Sequence, residues 1–228
     1  MNTHYTYLLI LVASLAGPLL LSFDKKVAFH TNWKYFFPAL SIPVTIYIIW
    51  DLYFTARGVW SFNPNYIIGL KIVNLPIEEV LFFFVVPYCC VFIYECIKTY
   101  FPKIKNKSTA DVILMTIGLG LWLAGIVFYN KQYTGWTFIL NAIFIALLYL
   151  YRNYFKSFDA ARFLISYCVM LIPFLVVNGF LTAIPVVRYN DAENLGIRIS
   201  TIPFEDIFYG MLLILSTIVI YEKLKEEG

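Results

Sequence analysis

Two carboxylates, Glu78 and Glu79, follow Leu75-Pro76-Ile77 at the head of an almost wholly apolar run, Val80 to Tyr94. The chain repeats the device as Ile202-Pro203-Phe204-Glu205-Asp206, again ahead of an apolar run. An ionisable side chain beside hydrocarbon is costly to keep unless it is paired or used, so acids placed here point to proton chemistry or to a satisfied structural pair. Proline suits the first turn of a helix, where its missing N–H costs nothing, and acids two and three residues later meet the positive end of the helix dipole. One copy reads equally well as a plain helix start; two copies at matched depth favour a functional reading. Adjacent helical residues point about 100° apart, so Glu78 and Glu79 cannot both face one partner. The acid that faces an apolar cavity is a candidate general acid. Its neighbour is free to tune it or to satisfy backbone groups.

Aromatic residues gather near both motifs. Phe82, Phe83 and Phe84 follow the first by one turn, Phe208 and Tyr209 follow the second, and Trp50, Tyr53, Trp60 and Tyr66 lie toward the same end. Any single ring reads as packing or as part of an interfacial belt. Together, π-faces beside a proton donor suit a carbocation, which they stabilise as they would an ammonium ion. Acid, aromatic cavity and bilayer suggest protonation chemistry on a polyene.

Composition sets the elements that must position these groups. The 228 residues are 61% hydrophobic and 14% charged, with a mean hydropathy of +0.76, whereas soluble domains run at roughly 25% charged. An all-α integral membrane protein is expected. The net charge of +3 is scattered among loops, which excludes a nucleic-acid surface. A crossing helix needs about 20 largely apolar residues, and seven stretches qualify, near 5–22, 35–54, 78–98, 110–128, 133–151, 161–181 and 204–222. Of the 17 Lys and Arg, 12 fall in alternate loops and the C-terminal tail, among them Lys25, Lys26, Lys103, Lys105, Lys107, Arg152 and Lys223. The other 5, Arg57, Lys71, Lys131, Arg188 and Arg198, fall on the opposite side. The positive-inside rule then predicts a multi-pass cell-membrane protein with the N-terminus extracytoplasmic and the C-terminus cytoplasmic, and both acidic motifs outside. Ala13-Ser14-Leu15-Ala16 has the look of a cleavage site, but Met1 to Tyr7 carries no Lys or Arg, so a retained first helix is expected.

The motif prolines lie 127 positions apart, and the same offset pairs Thr55 with Thr182, Asn63 with Asn190, Gly69 with Gly196, Ile72 with Ile199, and Tyr94-Glu95 with Tyr221-Glu222. A gap-free register over roughly 40 residues marks an internal repeat. The organisation read from it is a first three-helix repeat at 1–98, a linker transmembrane helix at 110–128 and a second three-helix repeat at 132–225. With the odd linker helix between them, both repeats share one orientation. Seven transmembrane helices thus form two parallel repeats whose motifs face each other, with the site expected at their interface.

The repeated Pro-x-Glu-Glu/Asp opening an aromatic-rich helix resembles the membrane-integral lycopene cyclase domain. So do Trp50-Asp51 near the end of the second helix, Gly58-Val59-Trp60-Ser61-Phe62-Asn63 in the loop that follows, and the closing Tyr-Glu. In that family two three-helix domains occur as separate subunits or fused, and this chain is similar to the fused form over nearly all its length. The resemblance implies a lycopene β-cyclase, an isomerase that converts the linear ends of lycopene to β-ionone rings, giving γ- and β-carotene. An acid protonates the terminal double bond, the next double bond attacks the cation, and a base removes a ring proton. Carried across by motif position, Glu78, Glu79, Glu205 and Asp206 are the acid/base residues. Candidate substrate-binding residues are Trp50, Asp51, Trp60, Phe82, Phe83 and Tyr209. The implied partners are lycopene and membrane lipid, with other carotenoid-synthesising enzymes as candidates. Asp206 is one methylene shorter than Glu79, so the two sites are expected to be unequal.

No Gly-x-Gly-x-x-Gly occurs, so no nucleotide cofactor is expected. His4 and His30 are isolated, which argues against a metal centre. Cys89, Cys90, Cys96 and Cys168 lie in expected helices and read as small apolar side chains. Asp51 reads equally as a site residue or an interfacial polar end, with Asn178 as its counterpart. Glu95 and Glu222, beside Lys98 and Lys223, read as ion pairs at helix ends. Two parallel three-helix repeats joined by one helix are also the plan of small sugar transporters, although the Pro-Gln pair of that group is absent here. A non-catalytic subunit of a carotenoid-synthesising complex is the third reading.

Overall fold

A computed structural model describes residues 3–104 and 108–228. Lys105 and Lys107, and the first two positions of the 1–98 unit, lie outside the described residues. Seven α-helices make up most of the described residues: α1 Thr6–Leu21, α2 Trp33–Arg57, α3 Ile77–Tyr100, α4 Ser108–Val127, α5 Gln132–Leu150, α6 Ala160–Ala183 and α7 Glu205–Glu227. Seven helical segments among the described residues are long and apolar enough to cross a membrane. They coincide with the seven apolar runs of the sequence to within a few residues at each end. Ile42, Ile46 and Ile49 form an outward stripe on α2, and Leu119, Leu123 and Ile126 form one on α4. Such continuous exposed apolar faces are unfavourable in water and suit hydrocarbon.

The centre of the bundle is α3 and α7. Helix α3 packs between α1 and α6, and α7 packs between α2 and α5, so each central helix is held by helices from both halves of the chain. Helix α4 lies against α5 and α6. All four cysteines are unpaired; Cys90 is buried, Cys89 and Cys96 are half-buried, and Cys168 is exposed on the outside of the bundle.

Among the described residues, six very short strands join the helices: β1 Trp60–Phe62, β2 Lys71–Ile72, β3 Leu75–Pro76, β4 Val187–Tyr189, β5 Arg198–Ile199 and β6 Ile202–Pro203. Two- and three-residue strands carry too little alternation to be read from a sequence. Hairpins β2–β3 and β5–β6 precede α3 and α7, with Lys71 opposite Pro76 and Arg198 opposite Pro203. Their turns share unusual backbone at matching positions: Gly69 and Gly196 have φ of 94° and 72°, and Val73 and Ser200 have φ of 59° and 58°. The prolines belong to these hairpins and not to the first helical turn. Pro76, at φ −58° and ψ 145°, is the N-cap of α3, and Pro203 stands one residue before the N-cap Phe204. Extended backbone tolerates the proline φ as readily as helix does. The next N–H is then tied back, Ile77 to the Leu70 carbonyl and Phe204 to the Ile197 carbonyl, both at 2.9 Å.

Strands β1 and β4 pair antiparallel with Trp60 opposite Tyr189, Ser61 opposite Arg188 and Phe62 opposite Val187. Under the 127-residue offset this register maps onto itself, with Ser61 and Arg188 at its centre. Flanking bonds exchange in the same way: Asn63 N–H donates to the Val186 carbonyl and Asn190 N–H to the Val59 carbonyl, both at 2.9 Å. At the far ends of α3 and α7, Lys98 contacts Glu222 at 2.6 Å and Lys225 contacts Glu95 at 3.1 Å. The expected Glu95–Lys98 pair is present at 4.0 Å, the shorter pairs cross between helices, and Lys223 instead meets Glu226 and Glu227.

Candidate functional site

The hairpins set the rotation of α3 and α7, and that rotation separates the four motif acids into two kinds. Glu78 turns back under its own hairpin, where Oε1 accepts the Ile68 N–H at 2.7 Å. Glu205 does the same with the Leu195 N–H at 2.7 Å and also accepts the Thr134 hydroxyl at 2.6 Å. Both are completely buried, and neither lines a cavity with its partner motif. They hold the loop that leads into each helix.

Glu79 and Asp206, one position further round each helix, line one narrow shared cavity. The Tyr7 hydroxyl donates to Glu79 Oε2 at 2.6 Å. The Tyr133 hydroxyl donates to Asp206 Oδ1 at 2.6 Å, and the Tyr189 hydroxyl donates to Oδ2 at 3.0 Å. Tyr7 and Tyr133 come from the first turns of α1 and α5, and Tyr189 from β4. Burial pushes the Tyr189 phenol well above its ordinary range, and the nearby Asp206 and Glu79 carboxylates push it further, so this hydroxyl is a permanent donor. Asp206 thus has a donor at each oxygen, and Glu79 has one at Oε2.

Trp60, Phe82 and Tyr209 also line this cavity. The Trp60 ring meets Tyr133 edge-on with centroids 5.2 Å apart and Tyr209 at 5.9 Å, while Tyr133 and Tyr189 stack at 5.8 Å. Asp51 is fully buried outside the cavity; it accepts a short hydrogen bond from Trp60 Nε1 and one from the Thr55 hydroxyl at 3.1 Å. It orients the Trp60 ring. Trp50 and Phe83 stand behind the wall, Trp50 against Tyr209 at 5.1 Å and Phe83 against Tyr47 at 5.7 Å. Of the sequence candidates, the structure therefore brings together Glu79, Asp206, Trp60, Phe82 and Tyr209. Glu78, Glu205, Asp51, Trp50 and Phe83 support them from outside.

Sequence reasoning missed Tyr7, Tyr133 and Tyr189. Tyr7 and Tyr133 are 126 positions apart, so a single-residue slip hides them from the 127-residue register. Tyr189 stands where the first copy has Phe62, and both residues line the cavity. This exchange supplies the second hydroxyl on Asp206. Asn178, the counterpart of Asp51, also reaches the cavity.

The family model described as lycopene cyclase matches residues 4–97 and again residues 130–224, which takes in both acid motifs. The chain belongs to the lycopene cyclase family. Among curated relatives, a bifunctional lycopene cyclase/phytoene synthase of Aspergillus niger is 37% identical over 92 residues, covering 36% of this chain and 16% of that protein. A protein of the same description from Aspergillus oryzae is 28% identical over 99 residues, covering 40% and 17%. One from Pyrenophora tritici-repentis is 40% identical over 71 residues, covering 30% and 12%. In each case the chain spans less than a fifth of the relative's length. No solved structure matches the chain.

Proposed function

We propose that this protein is a lycopene β-cyclase of the bilayer, with Glu79 and Asp206 as its acid/base pair. The observation that carries the reading is that the two acid motifs, 127 residues apart, each send one carboxylate into a single cavity walled by aromatic rings. In this reading the chain spans the membrane seven times, with the N-terminus and both motifs outside and the C-terminus in the cytoplasm. The two three-helix units at 1–98 and 132–225 lie parallel, joined by the helix at 110–128. The self-mapping register of β1 and β4 supports that arrangement, because antiparallel strands paired about their midpoint are related by a local twofold axis.

The roles follow from hydrogen-bond capacity. Asp206 accepts a hydroxyl at both oxygens, an environment complementary to a carboxylate, and is assigned as the base. Glu79 accepts Tyr7 at Oε2, leaving Oε1 to carry the proton, and is assigned as the acid. Glu79 transfers that proton to the terminal double bond of the linear chain end, which leaves a tertiary cation. The π pair of the next double bond closes the six-membered ring and moves the positive charge onto it. Asp206 removes the neighbouring ring proton, whose C–H electrons become the ring double bond. One proton enters and one leaves, so the step is an isomerisation without net oxidation and calls for no redox cofactor. Return of the proton from Asp206 to Glu79 within their shared cavity resets the pair. The π-faces of Trp60, Phe82 and Tyr209 stabilise the passing cation.

The test is expression in a host that accumulates lycopene, with pigments resolved by chromatography. Ringed products are expected. Unchanged lycopene, with the protein verified in the membrane, would refute the proposal.

A further inference from the structure

Two apolar grooves flank the acid cavity. One lies between α2, α5 and α7 and the other between α1, α3 and α6, and they are of similar size. Most of their lining positions correspond under the internal repeat. Phe174 and Val177 in the second stand where Tyr47 and Trp50 stand in the first, and Cys89 and Ile93 stand where Ser216 and Ile220 do. Their connections to the acid cavity differ.

In the α2/α5/α7 groove the way inward is closed. The Tyr47 hydroxyl donates to the Tyr209 carbonyl at 2.8 Å, its ring packs on Tyr209 at 4.8 Å, and Trp50 packs on both. In the α1/α3/α6 groove the corresponding wall is thinned. Val177 replaces the indole of Trp50, and Gly210 stands where the first copy has Phe83. A Cβ at Gly210 would lie 2.9 Å from Phe174 Cζ, so only glycine leaves that ring its present place. Phe174 lines both this groove and the acid cavity, whereas neither Tyr47 nor Trp50 lines the cavity.

The groove has the chemistry of a hydrocarbon site. Its few polar atoms are satisfied locally: the Ser14 hydroxyl donates to the Ile10 carbonyl at 2.7 Å and the Cys89 thiol to the Ser14 carbonyl at 3.5 Å. From Val85 to Ile93 it follows α3 away from the acids for about 12 Å at 1.5 Å per residue. The lining offers no charged side chain to a phospholipid headgroup. A linear polyene is apolar along its whole length and can place one end at the acids.

We infer that the α1/α3/α6 groove holds the polyene arm of the substrate whose reacting end lies between Glu79 and Asp206, and that the α2/α5/α7 groove does not. The inference rests on the cyclase reading and adds the path by which one chain end at a time reaches the acids. The duplicated fold therefore works as one site, with one open arm.

Cys89→Phe and Ile93→Phe fill the open groove, and Ser216→Phe and Ile220→Phe make the same changes in the closed one. Each is placed in the unaltered protein and in a Glu79→Gln/Asp206→Asn background, and purified from lycopene-accumulating cells. Lycopene per protein, phospholipid per protein and ringed pigment are measured, with membrane-inserted protein as the control. Both open-groove variants are expected to lower retained lycopene and ring formation about tenfold, equivalent to about 1.4 kcal/mol, and both closed-groove variants to stay close to the parent protein. Rings formed at the parent rate by Cys89→Phe and Ile93→Phe would overturn the groove assignment alone, as would loss confined to Ser216→Phe and Ile220→Phe. Loss of phospholipid with lycopene unchanged would also overturn it. If the parent protein retains lycopene through the open groove but forms no rings, the cyclase reading falls and the groove stands.

Discussion

Substituting the four motif acids one at a time should split them into two classes that adjacency in sequence does not suggest. Glu79→Gln is nearly isosteric, and its amide oxygen can still accept the Tyr7 hydroxyl that now lies 2.6 Å away. The cavity keeps its shape and the proton is gone. A positioned general acid or base contributes about 10²- to 10⁴-fold, or ~3–5 kcal/mol of barrier, so Glu79→Gln should lose activity on that scale with little change in stability, and Asp206→Asn should lose as much activity while also setting its NH₂ against one of two donor hydroxyls, at a cost of about 1–3 kcal/mol. Glu78→Gln and Glu205→Gln act on folding. Each alters a hydrogen bond to a loop N–H at 2.7 Å, and each puts an amide NH₂ at a buried Oε2 position that has no partner. Those two effects together cost about 1–3 kcal/mol, which for a chain of this size lowers the melting temperature by about 2–4 °C per kcal/mol. Initial rates of lycopene conversion in membranes, paired with heat-induced aggregation of detergent-purified protein, separate the classes. The reasoning fails if Glu78→Gln abolishes turnover at normal abundance and melting temperature while Glu79→Gln remains active.

Two further outcomes bear on the frame that holds the site. Lys98→Glu should lower thermal stability by an amount between the ~1 kcal/mol of an exposed ion pair and the ~3 kcal/mol of breaking a buried one; adding Glu222→Lys should restore part of the loss, and no recovery in the double variant would refute the cross-helix pairing at 2.6 Å. Gly196→Ala, at φ 72°, should cost about 1–2 kcal/mol and loosen the hairpin that carries the second motif; an unchanged melting curve would refute the strain argument.

Much of the frame was legible in the residues alone. Seven helices follow from seven apolar runs of the length a bilayer needs, and the duplication follows from exact spacing, such as Gly69 with Gly196 and Tyr94-Glu95 with Tyr221-Glu222. In the structure the two hairpins carry matched positive φ values, at Gly69 and Gly196 and at Val73 and Ser200. The hairpins themselves were invisible, because strands of two residues leave no period to detect. For the same reason the prolines stand ahead of the helices and not in their first turns, Pro76 one position before the first helical residue and Pro203 two.

What the tertiary structure decided is direction. Adjacent acids differ by about 100° around a helix axis, and which of them meets the cavity depends on how the hairpin sets that axis against the neighbouring helices. No local property of Glu78 or Glu79 encodes it. The hydroxyls of Tyr7, Tyr133 and Tyr189 arrive from distant segments, two of them one residue out of register with the repeat. The inequality of the two grooves likewise depends on partners across the bundle, with Gly210 facing Phe174 on one side and Tyr47 closing on Tyr209 on the other. The sequence by itself determined the helices, the duplication and the acids; only packing could select two acids from four and one groove from two, because that selection is made by contacts between residues far apart in the chain.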